Sequence, residues 1–413
     1  MSARRAMPSA AVIVVGTELV LGLRPDTNGP EIARFLAAAG YAPRTLFALP
    51  DDHTHLAAYL RTAIADHDLV VVTGGLGPTH DDVTREASAD ALGRALRPDS
   101  HLERALQAIA EGHREPRAAA QVLRQALVIE GARVLAPSIG TAPGQVVATA
   151  RGSLVLLPGP PAEMRPMLAE AVEPFTSAEA PPPRVLGCVG IRESDAQLRA
   201  ERALESHTGV ALTVLGRPSL VDVVLIADGT DGSGLAAAAD DVASALAPHC
   251  YATDGATLAE VVIRDATARG ISIGSAESCT GGLVAAALTD VAGSSAVFRG
   301  SIVAYADDIK RSALSVSPGT LATHGAVSET SVREMALGAR EALGVDVALG
   351  ITGIAGPAGG TAEKPVGLVW FAIADHTTVT AGPVTFRGDR ALVRTRATVH
   401  ALDLLRRAVT PRS

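Results

Sequence analysis

Two segments of the chain place residues where they could do chemistry: ISIGSAESCTGGLVAAALTDVAG and GSIVAYADDIKRSAL. The first reads as a strand turning into a helix, with Glu277, Ser278 and Cys279 at the turn and Glu277, Thr280, Gly281 and Gly282 as candidate substrate contacts. Thr280 is the expected N-cap, and Gly281 and Gly282 open the helix without side chains that block approach. Such a turn presents a hydroxyl beside unpaired backbone N–H groups, which stabilise an oxyanion or a bound anion. The second segment sets Tyr305 and Lys310 near a strand end and a helix start. Of 36 basic residues only two, Lys310 and Lys364, are lysines. Arginine keeps its proton, whereas a buried lysine can lose one and serve as a base. A lysine retained in an arginine-biased chain points to a need for its amine; the alternative is that two lysines survived by chance. The expectation is a metal-independent hydrolase in which Ser278 is the nucleophile, Lys310 takes its proton, and Tyr305 holds or relays that proton.

Cys279 is the rival nucleophile, since a thiolate is intrinsically stronger. A cysteine hydrolase usually pairs its thiol with a histidine, and the candidates, His324 and His400, sit in segments that look like ordinary helix flanks. Ser278 is therefore preferred. A third motif, ITGIAGPAGGTAEKPVG, is a strand followed by a loop rich in Gly and Pro, which can wrap a substrate with backbone groups. Thr352, Gly353, Gly356, Glu363 and Lys364 are its candidate binding residues. Arg387 and Arg390 in FRGDR could neutralise a phosphate. For each of these the alternative is an exposed loop with solvated charges.

The elements that must position these residues belong to an α/β chain. At 413 residues, 47% apolar and 19% charged, it has material for two or three cores, and three are expected. Aromatics are only 3%, which suits helices packed on parallel sheets and makes base-stacking platforms unexpected. The net charge of −8 argues against a general nucleic-acid binder. The opening MSARRAMPSAAVIVVG imitates a signal peptide, but its apolar run is short and reads as a first strand. No stretch approaches the roughly 20 apolar residues of a membrane span. Cys188, Cys250 and Cys279 lie far apart and show no metal-ligand spacing. A cytoplasmic, reducing setting without a disulfide framework is expected.

Strand and helix patterns alternate from AVIVV through SLVLLPGPP to a helix ending near Phe175, the mark of βαβ units. Residues 1–175 are taken as the first domain. The Pro-rich TSAEAPPPR and a small α+β unit occupy 176–252, and 253–413 form the third domain, opened by the helix TLAEVVIRDATARG with Gly270 as its C-cap. In the first domain, Thr73 to Thr79 is a strand end opening onto Gly74, Gly75 and Gly77, with Pro78 following and a helix expected from about Thr79. This is an anion site built from backbone amides. Glu18, Asp81 and Asp82 add carboxylates that could hold a divalent cation on a diphosphate, Asp81 and Asp82 being the metal candidates.

AESCTGG, GSIVAYADDIK, AVSE, ITGIAGPAGG, EKPVG and GDR, in this order, closely resemble the C-terminal domain of the CinA (competence/damage-inducible) family. That domain is similar to nicotinamide mononucleotide deamidase, which forms nicotinate mononucleotide and ammonia without a cofactor. The family's serine, tyrosine and lysine map onto Ser278, Tyr305 and Lys310. GTELVLG, DTN, TGGLGPTHDD, GTAPG and LPGPPAEM resemble the family's molybdopterin-binding-like domain, so the likeness covers nearly the whole chain. It adds Asn28, Gly140 and Thr141 to the nucleotide-binding candidates, and it implies an ADP-ribose pyrophosphatase using Co, Mg or Mn. The segment APSIGTAPG departs from the family, which commonly carries an asparagine before GTAPG; here Pro137 and Ser138 lie nearby. The middle unit resembles a KH-like module but lacks a GxxG loop, so no RNA binding is expected. The resemblance also implies a homodimer, and the family's name alone suggests the competing reading of a non-enzymatic adaptor in DNA uptake or repair.

Overall fold

The computed structural model describes residues 7–112, 115–172, 181–227 and 233–410. They fall into two compact units, one reaching to Pro183, the other comprising Arg184–Ile226 and the described chain from Gly234 on. Most of the expected linker TSAEAPPPR lies outside the described residues.

In the first unit the elements run β1 (Ser9–Val15), α1 (Thr17–Val20), α2 (Asn28–Ala38), β2 (Ala42–Leu49), α3 (His53–Asp66), β3 (Leu69–Thr73), α4 (Thr84–Leu92) and β4 (Leu96–Pro98). There follow α5 (Ser100–Glu111), α6 (Pro116–Arg124), β5 (Leu127–Ile129), β6 (Arg133–Leu135), β7 (Gly144–Ala148), β8 (Ser153–Leu157) and α7 (Pro161–Val172). Six strands form one sheet in the order β2-β1-β3-β8-β7-β6. The first four are parallel, and β7 and β6 add an antiparallel edge. Because helices cover both faces, β1 and β3 are apolar along nearly their whole length rather than alternating. Leu56 and Leu60 of α3 fill one face, and Ile32 and Leu36 of α2 with Met164 and Leu168 of α7 fill the other.

The helix after the glycine loop starts at Thr84, not at Thr79 as expected. Asp82 explains the delay: its carboxylate accepts from the N–H groups of Gly77 at 2.8 Å and Thr79 at 2.7 Å, closing that stretch into a turn of its own.

In the second unit a small sheet, order β10-β11-β9-β12, is built from β9 (Arg184–Val189), β10 (Val210–Arg217), β11 (Leu220–Ala227) and β12 (Cys250–Ala252). It carries α8 (Glu193–Leu204) and α9 (Leu235–Leu246). Next comes α10 (Leu258–Arg269), started by a capping box between Thr257 and Glu260 and stopped by left-handed Gly270. The larger sheet, order β14-β13-β15-β16-β17, comprises β13 (Ile273–Glu277), β14 (Phe298–Val303), β15 (Val347–Gly353), β16 (Leu368–Ala374) and β17 (Val379–Thr385). Its helices are α11 (Leu283–Thr289), α12 (Asp307–Leu314), α13 (Pro318–His324), α14 (Glu329–Leu343) and α15 (Arg390–Val409). β13 is parallel to both β14 and β15, while β16 and β17 are antiparallel. One apolar cluster joins Val189, Tyr251 and Ala252 of the small sheet to Leu258 and Val262 of α10 and to Leu349 and Phe371 of the larger one. The two sheets therefore share a core across residue 253, where the sequence reading divides them. Among the described residues, no helix is long and apolar enough to cross a membrane.

Candidate active site

The three parallel strands of the larger sheet end side by side, Glu277 opposite Val303 on one flank and Ile351 on the other. The ladder continues one step further, with Ala304 N–H donating to Glu277 O at 2.8 Å and Ser278 N–H to Ile351 O at 3.0 Å. Ser278 thus sits at the carboxyl edge between the chain leading to Tyr305 and the chain leading to Thr352, the place where open α/β sheets receive ligands.

Glu277, expected to bind substrate, has another task. It is fully buried, and its carboxylate accepts from the N–H groups of Gly282 (2.9 Å), Val284 (3.2 Å) and Ala285 (2.9 Å) and from the Ser301 hydroxyl (3.2 Å). The first turn of α11 is therefore filled by the chain's own anion, and those amides are not open to a ligand as the sequence suggested. The N-cap is Gly282, not Thr280. Gly281 and Gly282 have φ of +61° and +94°, two consecutive left-handed residues that favour glycine. The Thr280 hydroxyl is buried and has no partner among the described residues.

Lys310 is 1% exposed. Its Nζ donates to the Tyr305 carbonyl at 3.2 Å and lies 3.5 Å from the Asp307 carboxylate. Among the described residues no hydrogen bond joins it to Ser278, so the expected direct proton path is not formed here; the amine is held by the start of its own helix. The Tyr305 ring is exposed, and its hydroxyl accepts from Arg390 Nη2 at 2.7 Å while Arg390 Nη1 donates to Gly356 O at 2.9 Å. One guanidinium thus links Tyr305 to the glycine-rich loop.

Thr352 is buried and donates to Ala326 O at 2.8 Å. Gly353 allows close backbone approach, since a Cβ there would meet Leu368 O at 2.8 Å. Lys364 Nζ donates to His324 O at 2.7 Å, latching the loop to the end of α13, and Glu363 and Arg387 are exposed.

The rival thiol loses ground. Burial pushes Cys279 up to about 11, so it is neutral near pH 7 and a poor nucleophile. No histidine hydrogen-bonds to it among the described residues; His400 instead packs against Phe371, ring centroids 4.7 Å apart.

Sequence reasoning missed Arg394, whose Nε donates to Cys279 O at 3.1 Å and whose Nη2 donates to Thr280 O at 2.8 Å, bracing the serine turn. Its spacing of four from Arg390 on one helix face was the available signal.

In the first unit a cleft of about 390 Å³ opens at the carboxyl ends of the parallel strands, lined by Glu18, Asn28, Thr73, Gly74, Gly159 and neighbours. Asn28 Nδ2 donates to Thr73 Oγ1 (3.2 Å) and Gly159 O (2.7 Å), while its Oδ1 is buried without a partner among the described residues. Gly74 must be glycine, for a Cβ there would lie 2.2 Å from Val15 O. Gly75, Gly77, Pro78, Thr79, Gly140 and Thr141 are not among the lining residues. Gly140 instead faces the Glu163 carboxylate. Arg85, also missed, is fully buried beneath the loop and donates to Leu76 O at 2.6 Å and Gly77 O at 3.3 Å.

As a metal site the proposed pair does not fit. Both oxygens of Asp82 already accept from loop amides, Asp81 is exposed, and among the described residues no three His, Cys, Asp or Glu side chains gather to hold a metal ion.

Residues 255–409 match the family described as "CinA C-terminal domain", and residues 11–178 match the one described as "Probable molybdopterin binding domain". A competence-damage inducible protein of Symbiobacterium thermophilum is 40% identical over 418 residues, covering 96% of this chain and 98% of its own. The chain belongs to the CinA family. A CinA-like protein of Thermosipho melanesiensis is 34% identical, with 98% of this chain and 100% of that one covered. Among solved structures, a competence/damage inducible protein of Agrobacterium tumefaciens is 44% identical, covers 37% of this chain and 93% of its own, and gives a TM-score of 0.36. The serine turn, Lys310 and Arg390 lie in the CinA C-terminal match, and the Asn28 cleft lies in the molybdopterin binding domain match.

Proposed function

We propose that the C-terminal unit hydrolyses the carboxamide of nicotinamide mononucleotide to nicotinate mononucleotide and ammonia. The observation that carries this reading is the gathering, at one sheet edge, of the Ser278 turn, the buried Lys310 amine and the Tyr305–Arg390 pair. Ser278 Oγ attacks the carboxamide carbon and its proton passes to Lys310 Nζ, which acts in its neutral amine form and swings from the Tyr305 carbonyl to receive it. Asp307 at 3.5 Å stabilises the ammonium so formed. The same proton leaves with the departing nitrogen as ammonia, and water then cleaves the Ser278 ester to release the acid. Arg390, with a planar fork at the mouth of the site, suits the nucleotide phosphate.

Ammonia release from nicotinamide mononucleotide by wild type, Ser278→Ala and Lys310→Arg tests the assignment. Both variants are expected to lose at least about 1,000-fold in kcat while keeping the wild-type circular dichroism. Full activity in either one overturns the role given to that residue.

A second reading concerns the first unit, where the cleft with its unpartnered Asn28 oxygen supports binding of a nucleoside diphosphate such as ADP-ribose. Titration calorimetry with ADP-ribose, and an assay for AMP with Co, Mg or Mn, tests it. No heat and no AMP with any metal removes this reading.

A further inference from the structure

Cys188 and Cys250 are free thiols more than sixty positions apart in sequence, yet they stand directly opposite one another on antiparallel β9 and β12. Val189 N–H donates to His249 O at 3.0 Å, a ladder bond beside the Cys188–Cys250 pair rather than within it. That pair is then a non-hydrogen-bonded one, in which Cα atoms approach to roughly 4.5 Å and the side chains share a face. A disulfide needs Cα atoms about 4.4–6.8 Å apart, so no strand has to move to close one here. Each thiol now donates within its own strand, Cys250 Sγ to Ala252 O at 3.4 Å and Cys188 Sγ to Leu186 O at 4.0 Å.

We propose that Cys188 and Cys250 form a reversible cross-strand disulfide when the chain meets a peroxide.

The environments divide the labour. Cys250 is half-buried and open to a small oxidant, whereas Cys188 is fully buried. The neighbouring Cys188 thiol, the Ala252 backbone and the Arg406 guanidinium hold the Cys250 thiol below its usual range, while the neighbouring Cys250 and burial push Cys188 up. Cys250 Sγ attacks one oxygen of hydrogen peroxide, the O–O bond breaks, and the departing hydroxide takes up the thiol's proton as water. The resulting sulfenic acid is attacked by Cys188 Sγ: the S–S bond forms, the S–O bond breaks, and a second water leaves with the Cys188 proton. Two thiols are oxidised by two electrons and one peroxide is reduced to two waters. Tyr251 and Ala252 beside Cys250 belong to the cluster that reaches the larger sheet, so the bridge fastens β12, and with it that cluster, to the central strand of the small sheet.

The test treats the full chain with hydrogen peroxide, then denatures and alkylates it before measuring intact mass. One cysteine of three is expected to be alkylated, a proteolytic peptide joining Cys188 to Cys250 is expected, and dithiothreitol should restore all three. Oxidation is expected to raise the unfolding midpoint by roughly 5–10 °C, and Cys250→Ser should abolish the cross-link and that rise. Sulfinic or sulfonic acid at Cys250 with Cys188 still alkylatable overturns the proposal. So does a cross-link to Cys279 or to a second chain.

Discussion

Both units end a buried parallel strand in a glycine turn with a carboxylate beside it, but the carboxylate stands on opposite sides of the turn. Asp82 lies after the glycines and ties down Gly77 and Thr79 from a half-exposed position. Glu277 lies before them, is wholly buried, and fills the first turn of α11. A carboxylate next to a glycine turn is in both cases part of the loop's own architecture. The difference lies in what remains for a ligand. In the first unit the cleft keeps an Asn28 oxygen without a partner among the described residues, whereas in the second the amides of the first helical turn are spent on Glu277.

The largest effect that could break this comparison is catalytic. Lys310→Arg and Ser278→Ala are expected to reduce ammonia release at least about 1,000-fold, while Asp82→Ala leaves it within about twofold. Loss of deamidation in Asp82→Ala shows that the units are not separable as described. Next comes stability. Glu277→Gln sets an amide nitrogen against backbone donors in a dry site and is expected to destabilise by about 3 kcal/mol, whereas Asp82→Asn costs about 1 kcal/mol or less. Chemical denaturation compares the two, and equal losses erase the distinction between buried and open braces. Arg85→Met removes two hydrogen bonds to the glycine loop, with an expected loss of about 2 kcal/mol and weaker binding of any ligand in the Asn28 cleft, read by calorimetry. The smallest effect is acid sensitivity. Hydrogen bonds from Ser272 and His376 lower Asp346 to about 2. A depressed carboxylate contributes stability that is complete above its unfolded value near 4 and is lost as pH falls through about 2. Because the side chain is 40% exposed, screening keeps the contribution below about 1 kcal/mol. Asp346→Asn should flatten that part of the stability profile between pH 4 and 2, and an unchanged slope removes the assignment.

Much of this was legible in residue types. Apolar runs such as AVIVV foretold the buried strands, and Gly270 foretold the end of α10. What stayed hidden depended on partners distant in sequence. Glu277 looked like a ligand because a carboxylate beside a serine carries no mark of which amides it will face. Arg85 and Arg394 were lost among the many arginines, since burial beneath a turn leaves no local pattern. Cys188 and Cys250 looked unrelated because only the pairing of β9 with β12 brings them together.

The scarcity of lysine has a practical corollary for labelling. The chain offers acylating reagents just two ε-amines, one buried on α12 and held by that helix's own start, the other on a loop near the surface. Mild acetylation or dye coupling should therefore mark Lys364 first and reach Lys310 only as that helix opens, giving a readout of local unfolding from a single reagent.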